Sequence, residues 1–342
     1  MGEGLVTEAE KQRHRDAVAL KARFWLSGLV VRFRPTSLED LARVLEPNLR
    51  WQGKFANEPY RSNKYRAYHK GERSPRLSLV RKIEAIRQPD RSGEGSQAEF
   101  EHMIWEVLRG QPASAQTCRR WLHSLSAEVQ AIARKAPALL AGKNSSYWIP
   151  ALRPLEFALL RHRADLDALA LLTFVVQQAH RFGHPELAHM AGRELVQMLW
   201  QLSIQIDDRG LLKAFMEIFE KWILPLTCKG GIRLALGDNV IARAELLRLA
   251  CEVRVAERNG SRDDSVARIE LRRILNWQPW LDLPSLYSAR CVPMQENHLT
   301  DKEQLLCNRP PNNLEIQLRS HSMVSMLAAR RERRAGSGFE LE

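Results

Sequence analysis

Hydrophobic and polar positions along this chain recur mostly with the period of a helix, and stretches that alternate residue by residue are scarce. Thr7 and Glu10 stand at capping-box spacing and open a helix predicted to run to about Leu26, rich in Lys11, Arg13, Arg15, Lys21 and Arg23. "SGLVVRFRP" follows and ends at Pro35. Thr36 and Ser37 with Asp40 then start a second helix, "SLEDLARVLEP", whose Leu38, Leu41, Ala42 and Leu45 have the spacing of one buried stripe and which Pro47 stops. "NLRWQGKFANEPY" reads as a loop holding a buried aromatic or two. A short helix is expected from about Ser62 to His69, with Gly71 as its C-terminal cap. After Pro75 another runs from Leu77 to Ile86, turning Leu77, Val80, Ile83 and Ile86 inward.

The stretch "RQPDRSGEGSQ" (87–97) gathers Pro, Gly, Ser and charge without a hydrophobic anchor, so a domain boundary is expected there. Beyond it helices are predicted over Gln97–Leu108, Ser114–Leu125 and Ala127–Lys135. "HPELAHMAGRELVQMLWQLSIQI" repeats Leu195, Met198, Leu199, Leu202 and Ile206 on one face. Leu212, Phe215, Phe219 and Trp222 do the same in "LLKAFMEIFEKWI", as do Leu246, Leu249, Ala250 and Val253 further on. Trp105, Trp121, Trp200 and Trp222 fall on apolar faces and read as core; Trp277 and Trp280 read as core or edge packing. No fixed repeat period is found. Residues 276–316 are Pro-rich and irregular, and "AARRERR" near the end reads as part of a loose tail. The expected division is a basic domain over 1–90, a linker over 91–97, an α-helical domain over 98–330 and a flexible tail over 331–342.

Composition places the chain among ordinary soluble proteins: 342 residues, 44% hydrophobic and 27% charged. The longest apolar run, Ala168 to Val176, is too short to span a bilayer, so no membrane association is expected. The charged N-terminus lacks the apolar region of a secretion signal, and Val6 stands where myristoylation needs Ser or Thr. Five scattered cysteines without a C-x-x-C predict reduced thiols, hence a cytoplasmic protein. The net charge of +12 favours polyanionic partners. Between Arg50 and Arg87 stand eleven Lys and Arg against three Glu, a net +8, so most of the excess is local.

Its centre is "RSNKYRAYHKGERSP" (61–75), with five Lys/Arg, His69, Tyr65 and Tyr68 in the thirteen positions from Arg61 to Arg73. Tyr65 and Tyr68 are three apart, so both can pack on one side of a helix while the basic residues point away. Residues 36–86 resemble the helix-turn-helix family typified by phage Cro and lambda-type repressors. "SLEDLARVLE" is similar to that family's first buried helix, "SNKYRAYHKG" to its recognition helix, "GERSP" to the turn behind it and "LSLVRKIEAI" to the packing helix that follows. One departure stands out: the family joins its first two motif helices by a few residues, whereas Asn48 to Tyr60 intervene here. The scarcity of β-type alternation predicts a mainly α fold with a larger helical bundle after the basic domain, and the resemblance implies that the basic domain is helix-turn-helix-like and that the protein binds DNA as a regulator. The resemblance puts Ser62, Asn63, Lys64, Arg66 and Ala67 on or near the surface offered to the major groove, and Arg61, Lys70, Arg73 and Arg76 at its flanks near phosphates. The residue chemistry agrees: Lys and Arg beside phosphates release counterions, and Arg or Asn on a groove-facing helix can make bidentate base contacts.

Other motifs carry less. His180, His184 and His189 lie close in sequence, but Gly183 and Pro185 break the helix that metal ligation would need, so a helix boundary is expected. "AGKNSS" (141–146) lacks the first Gly and the Ser/Thr of a phosphate loop, and "CKGGIRLALGDN" lacks G-x-G-x-x-G. The pairs Asp207–Asp208 and Asp263–Asp264 read as helix caps. No catalytic, metal or cofactor site is therefore expected. Duplex DNA is the favoured partner. RNA held by the same basic helix, an acidic protein held by a non-catalytic scaffold, and an enzyme with an unfamiliar site remain as alternatives, with oligomerisation or partner contacts assigned to the helical domain.

Overall fold

A computed structural model describes residues 7–46, 63–86, 95–110, 114–140, 148–237, 239–257 and 290–293. The chain is mainly α-helical. In order come α1 (Glu8–Phe33), α2 (Leu38–Leu45), α3 (Asn63–Lys70), α4 (Leu77–Glu84), α5 (Gln97–Phe100), α6 (Met103–Arg109), α7 (Ala115–Ser124) and α8 (Ala127–Lys135). A short antiparallel pair, β1 (Ala138–Leu140) and β2 (Trp148–Pro150), leads to α9 (Pro154–Arg163), α10 (Leu166–Arg181), α11 (Pro185–Asp208) and α12 (Leu212–Trp222). After a 3-10 turn (Leu224–Thr227), β3 (Ile232–Ala235) pairs antiparallel with β4 (Arg290–Pro293) around α13 (Val240–Glu257). Among the described residues no helix is long and apolar enough to cross a membrane.

The buried residues form two clusters, and α1 belongs to both. Ala17, Leu20 and Phe24 join the larger one, with α6 and α10–α12; Trp25, Leu26 and Leu29 join the smaller, with α2–α4 and Phe100. Phe24 and Trp25 are neighbours in sequence but about 100° apart around the helix axis, so one helix serves two cores. At the heart of the larger cluster lies α10, apolar all round, with every residue from Ala168 to Val176 buried. The apolar stripes predicted on α2 and α11 are buried as expected. Trp105 and Trp200 are fully buried, and Trp121 and Trp222 pack partly buried against the same core.

The Thr7 capping box forms, with Thr7 N–H donating to Glu10 at 2.8 Å and Glu10 N–H donating back to the Thr7 hydroxyl at 3.2 Å. The helix it opens does not stop near Leu26, however; it continues through Ser27 and Gly28 to Phe33, ending at Arg34 in the left-handed region just before Pro35. Ser27 satisfies its hydroxyl inside the helix by donating to the Phe24 carbonyl at 2.8 Å. Gly28 serves close packing: a Cβ there would lie 2.3 Å from the Gly95 nitrogen. Gly95 N–H donates to the Glu99 carboxylate at 2.7 Å, and Glu99 pairs with Arg209 at 2.8 Å, both side chains about nine-tenths buried.

Two further expectations are corrected. The helix foreseen over 97–108 is broken at Glu101–His102, because Phe100 turns into the smaller cluster while Met103, Ile104 and Trp105 enter the larger. Asp207 and Asp208 sit at the C-terminal end of α11, not at a helix N-terminus, and both hold Arg248 of α13, at 3.0 and 2.7 Å. The expectations for 141–146, 263–264, Trp277, Trp280 and the Arg-rich end fall outside the described residues, as do the side chains of Leu246, Leu249, Ala250 and Val253.

Candidate nucleic-acid interface

The helix α3 ends where Gly71, at φ +75°, lets the chain turn: Glu72 N–H donates to the Ala67 carbonyl at 2.9 Å and Gly71 N–H to that of Tyr68 at 3.0 Å. The same glycine lies against α1, since a Cβ there would meet that of Ala19 at 2.8 Å. Pro75 is buried, and Arg76 in extended backbone precedes α4, which turns Val80 and Ile83 inward.

Two tyrosines set the orientation of α3. Tyr65 and Tyr68 are buried, with ring centroids 5.9 Å apart, edge to face. Tyr68 meets Trp25 at 6.5 Å and Trp25 meets Phe100 at 5.8 Å, so an aromatic row pins the helix to α1 and α5. Burial, reinforced by the nearby Glu46 carboxylate, pushes both phenols above their usual range; Arg73 and Arg76 act on Tyr68 in the opposite sense. His69 is half-buried, and burial followed by the charge of Arg23 holds its imidazole below the usual range.

With the tyrosines inward, the other side of α3 faces out. Lys64, Arg66, Ala67, Lys70, Glu72 and Arg73 line one depression of about 440 Å³. The structure thus brings together four of the basic residues singled out in the sequence, around the small side chain of Ala67. Arg76 is exposed at the start of α4. Arg61 and Ser62 lie outside the described residues, as does the side chain of Asn63.

What the sequence window did not disclose is the acidic contribution of α2. Lys64 makes an ion pair with Glu46, at the C-terminal cap of α2, whose side chain is only 7% exposed. Arg66 faces Glu39 at 3.6 Å, with the two side chains 39% and 37% exposed. Lys70 and Glu72 are 3.9 Å apart and both about three-fifths exposed, a contact of little strength in water. Among the described residues no carboxylate pairs with Arg73 or Arg76. Glu39 and Glu46 lie just before Arg50, where the basic stretch begins; their position on a helix packed against α3 is the only clue that they belong to it.

Elsewhere the polar groupings tie helices together. His102 places Nε2 2.9 Å from Asp167 while its Nδ1 accepts from Ile104 N–H at 3.2 Å, and Asp167 also accepts from Ser126 N–H. Both ring nitrogens are committed, so this Ser, His and Asp grouping fastens α6, α8 and α10 to one another. His189 contacts the Thr227 carbonyl at 3.2 Å and His184 precedes Pro185 at the start of α11, in keeping with the expected helix boundary. No group of metal ligands occurs among the described residues. A second depression, about 510 Å³, lies between α12 and α13, with Met216, Leu236 and Ile241 beside Glu217 and Glu245. No protein-family model, curated protein or solved structure matches the chain.

Proposed function

We propose that this chain binds nucleic acid, duplex DNA in the first place, through the outward face of α3 and the turn into α4, in the manner of a helix-turn-helix regulator. The observation that carries the proposal is the run of Arg66, Lys70 and Arg73 along one depression, with Arg76 beside it, on a face that buried Tyr65 and Tyr68 hold outward. Clustered cations on a rigid element are what a phosphate backbone recruits, through counterion release. With Glu39, Glu46 and Glu72 set against Lys64, Arg66, Lys70, Arg73 and Arg76, two positive charges remain, so the local field favours an anion.

The test is fluorescence anisotropy of the intact chain with random-sequence duplex DNA, single-stranded DNA and structured RNA across a salt series. Binding that falls steeply with salt, strongest for duplex DNA, is the expected result. Preference for RNA would move the function to an RNA-bound role of the same face. Absence of binding to all three at low salt would overturn the proposal and favour an acidic protein as the partner of this face.

A further inference from the structure

We infer that the cations of this face divide between two tasks: Lys64 is a positioning residue, its ammonium committed to buried Glu46, while Lys70, Arg73 and Arg76 are the phosphate contacts. The inference rests on the nucleic-acid reading above and departs from the helix-turn-helix expectation, which sends Lys64 toward the groove and leaves Lys70, Arg73 and Arg76 at the margin.

The distribution of carboxylates carries it. Glu46 is buried at the end of α2, beneath α3 and close enough to Tyr65 and Tyr68 to raise both phenols. A buried carboxylate deprived of its cation is costly, so Lys64 cannot turn to a phosphate without stranding Glu46. The pair also joins the last residue of the α2 segment to the first turn of α3, which fixes where α3 starts relative to α2. Arg66 sits between the two groups, facing a partly exposed Glu39 across 3.6 Å. The other end of α3 is different. Lys70 has only the exposed Glu72, Arg73 and Arg76 have no acidic partner among the described residues, and all three are exposed. They follow one another at intervals of three across the turn from α3 to α4, so their charges are available to successive groups on a polyanion.

Two measurements test this division. The first is the slope of log affinity against log salt for duplex DNA, taken on the full chain and its variants. Each phosphate contact contributes about 0.9 to that slope. Lys70→Ala, Arg73→Ala and Arg76→Ala are therefore each expected to flatten it by about 0.9, whereas Lys64→Met paired with Glu46→Gln is expected to leave it unchanged. The second needs no variant: acetylation of lysines in the wild-type chain with and without DNA, with Lys70 expected to be protected and Lys64 to react slowly in both states. A slope flattened by the Lys64→Met/Glu46→Gln pair but not by Arg73→Ala or Arg76→Ala overturns the division, and so does strong DNA protection of Lys64 without protection of Lys70. If the wild-type chain binds no nucleic acid at low salt, the functional reading fails and this inference with it; if it binds with these slopes reversed, only the inference fails.

Discussion

Replacing Gly28 by alanine sets two effects against each other, and the structure decides the sign. Gly28 lies inside α1, where helix propensity alone makes Gly→Ala stabilising by about 1 kcal/mol. The added methyl, however, would stand 2.3 Å from the Gly95 nitrogen, 2.8 Å from its Cα and 2.7 Å from a carboxylate oxygen of Glu99. The first two are backbone atoms and cannot rotate away, so Gly95 has to retreat from α1. Overpacking of that kind costs about 1–3 kcal/mol. The retreat also pulls on the Gly95 N–H···Glu99 bond and through it on the buried Glu99–Arg209 pair, whose outright loss would cost about 3–5 kcal/mol. A net destabilisation of about 1–4 kcal/mol follows. Urea unfolding followed by far-ultraviolet circular dichroism measures it as a lowered midpoint at unchanged slope. Combining Gly28→Ala with Arg209→Met should cost less than the sum of the two, because both act on the same clamp. A midpoint for Gly28→Ala that stays or rises would refute the close approach of α1 and Gly95.

The remaining predictions concern charge. Glu99→Ala and Arg209→Met should each destabilise by about 3–5 kcal/mol in the same assay, while the double variant should recover a substantial part of that loss. Lys64→Ala should cost about 1–3 kcal/mol, less than a fully buried pair because Lys64 is 35% exposed, and Glu46→Gln should restore most of it; equal instability of the double variant would show that the charge of Glu46 is not what Lys64 offsets. His69 and His189 are both held below the usual imidazole range, in each case chiefly by burial, so the unfolded chain takes up a proton first. The stability carried by the neutral rings is therefore complete above about pH 6.5 and lost as pH falls below it, with the buried Glu194 carboxyl, pushed upward, working in the opposite sense. The urea midpoint should drop on going from about pH 7 to about pH 5.5, and His69→Asn with His189→Asn should flatten that drop; an unchanged profile would count against the burial of these rings.

Local chemistry carried most of what the sequence disclosed. Capping at Thr7 and Ser37, the apolar stripes of α2 and α11 and the pairing of Tyr65 with Tyr68 each depend on residues within about two helical turns, and each is present. The corrections all come from partners far along the chain. Ser27–Gly28 has the composition of a helix stop, yet it is a point of close approach for Gly95, 67 residues on. The break at His102 is held by Asp167, 65 residues away, and Asp207 is held by Arg248, 41 residues away. Periodicity within a window carries no information about such contacts.

The same distinction separates what was legible of the interface from what was not. Its charge was legible, because Lys and Arg between Arg50 and Arg87 can be counted without knowing where they point. Its orientation was nearly so, since two tyrosines three apart must share a face once one is buried. The pairing was not, because it depends on how α2 packs against α3. A net charge of +8 treats Lys64 and Arg73 as equals, whereas one is committed to a buried glutamate and the other has no acidic partner among the described residues. A polyanion approaching this face therefore meets a gradient, from cations already engaged by Glu46 and Glu39 at the start of α3 to available ones at Lys70, Arg73 and Arg76. On the nucleic-acid reading proposed above, that gradient, more than the total charge, would set where a phosphate backbone settles, with its centre at the turn between α3 and α4.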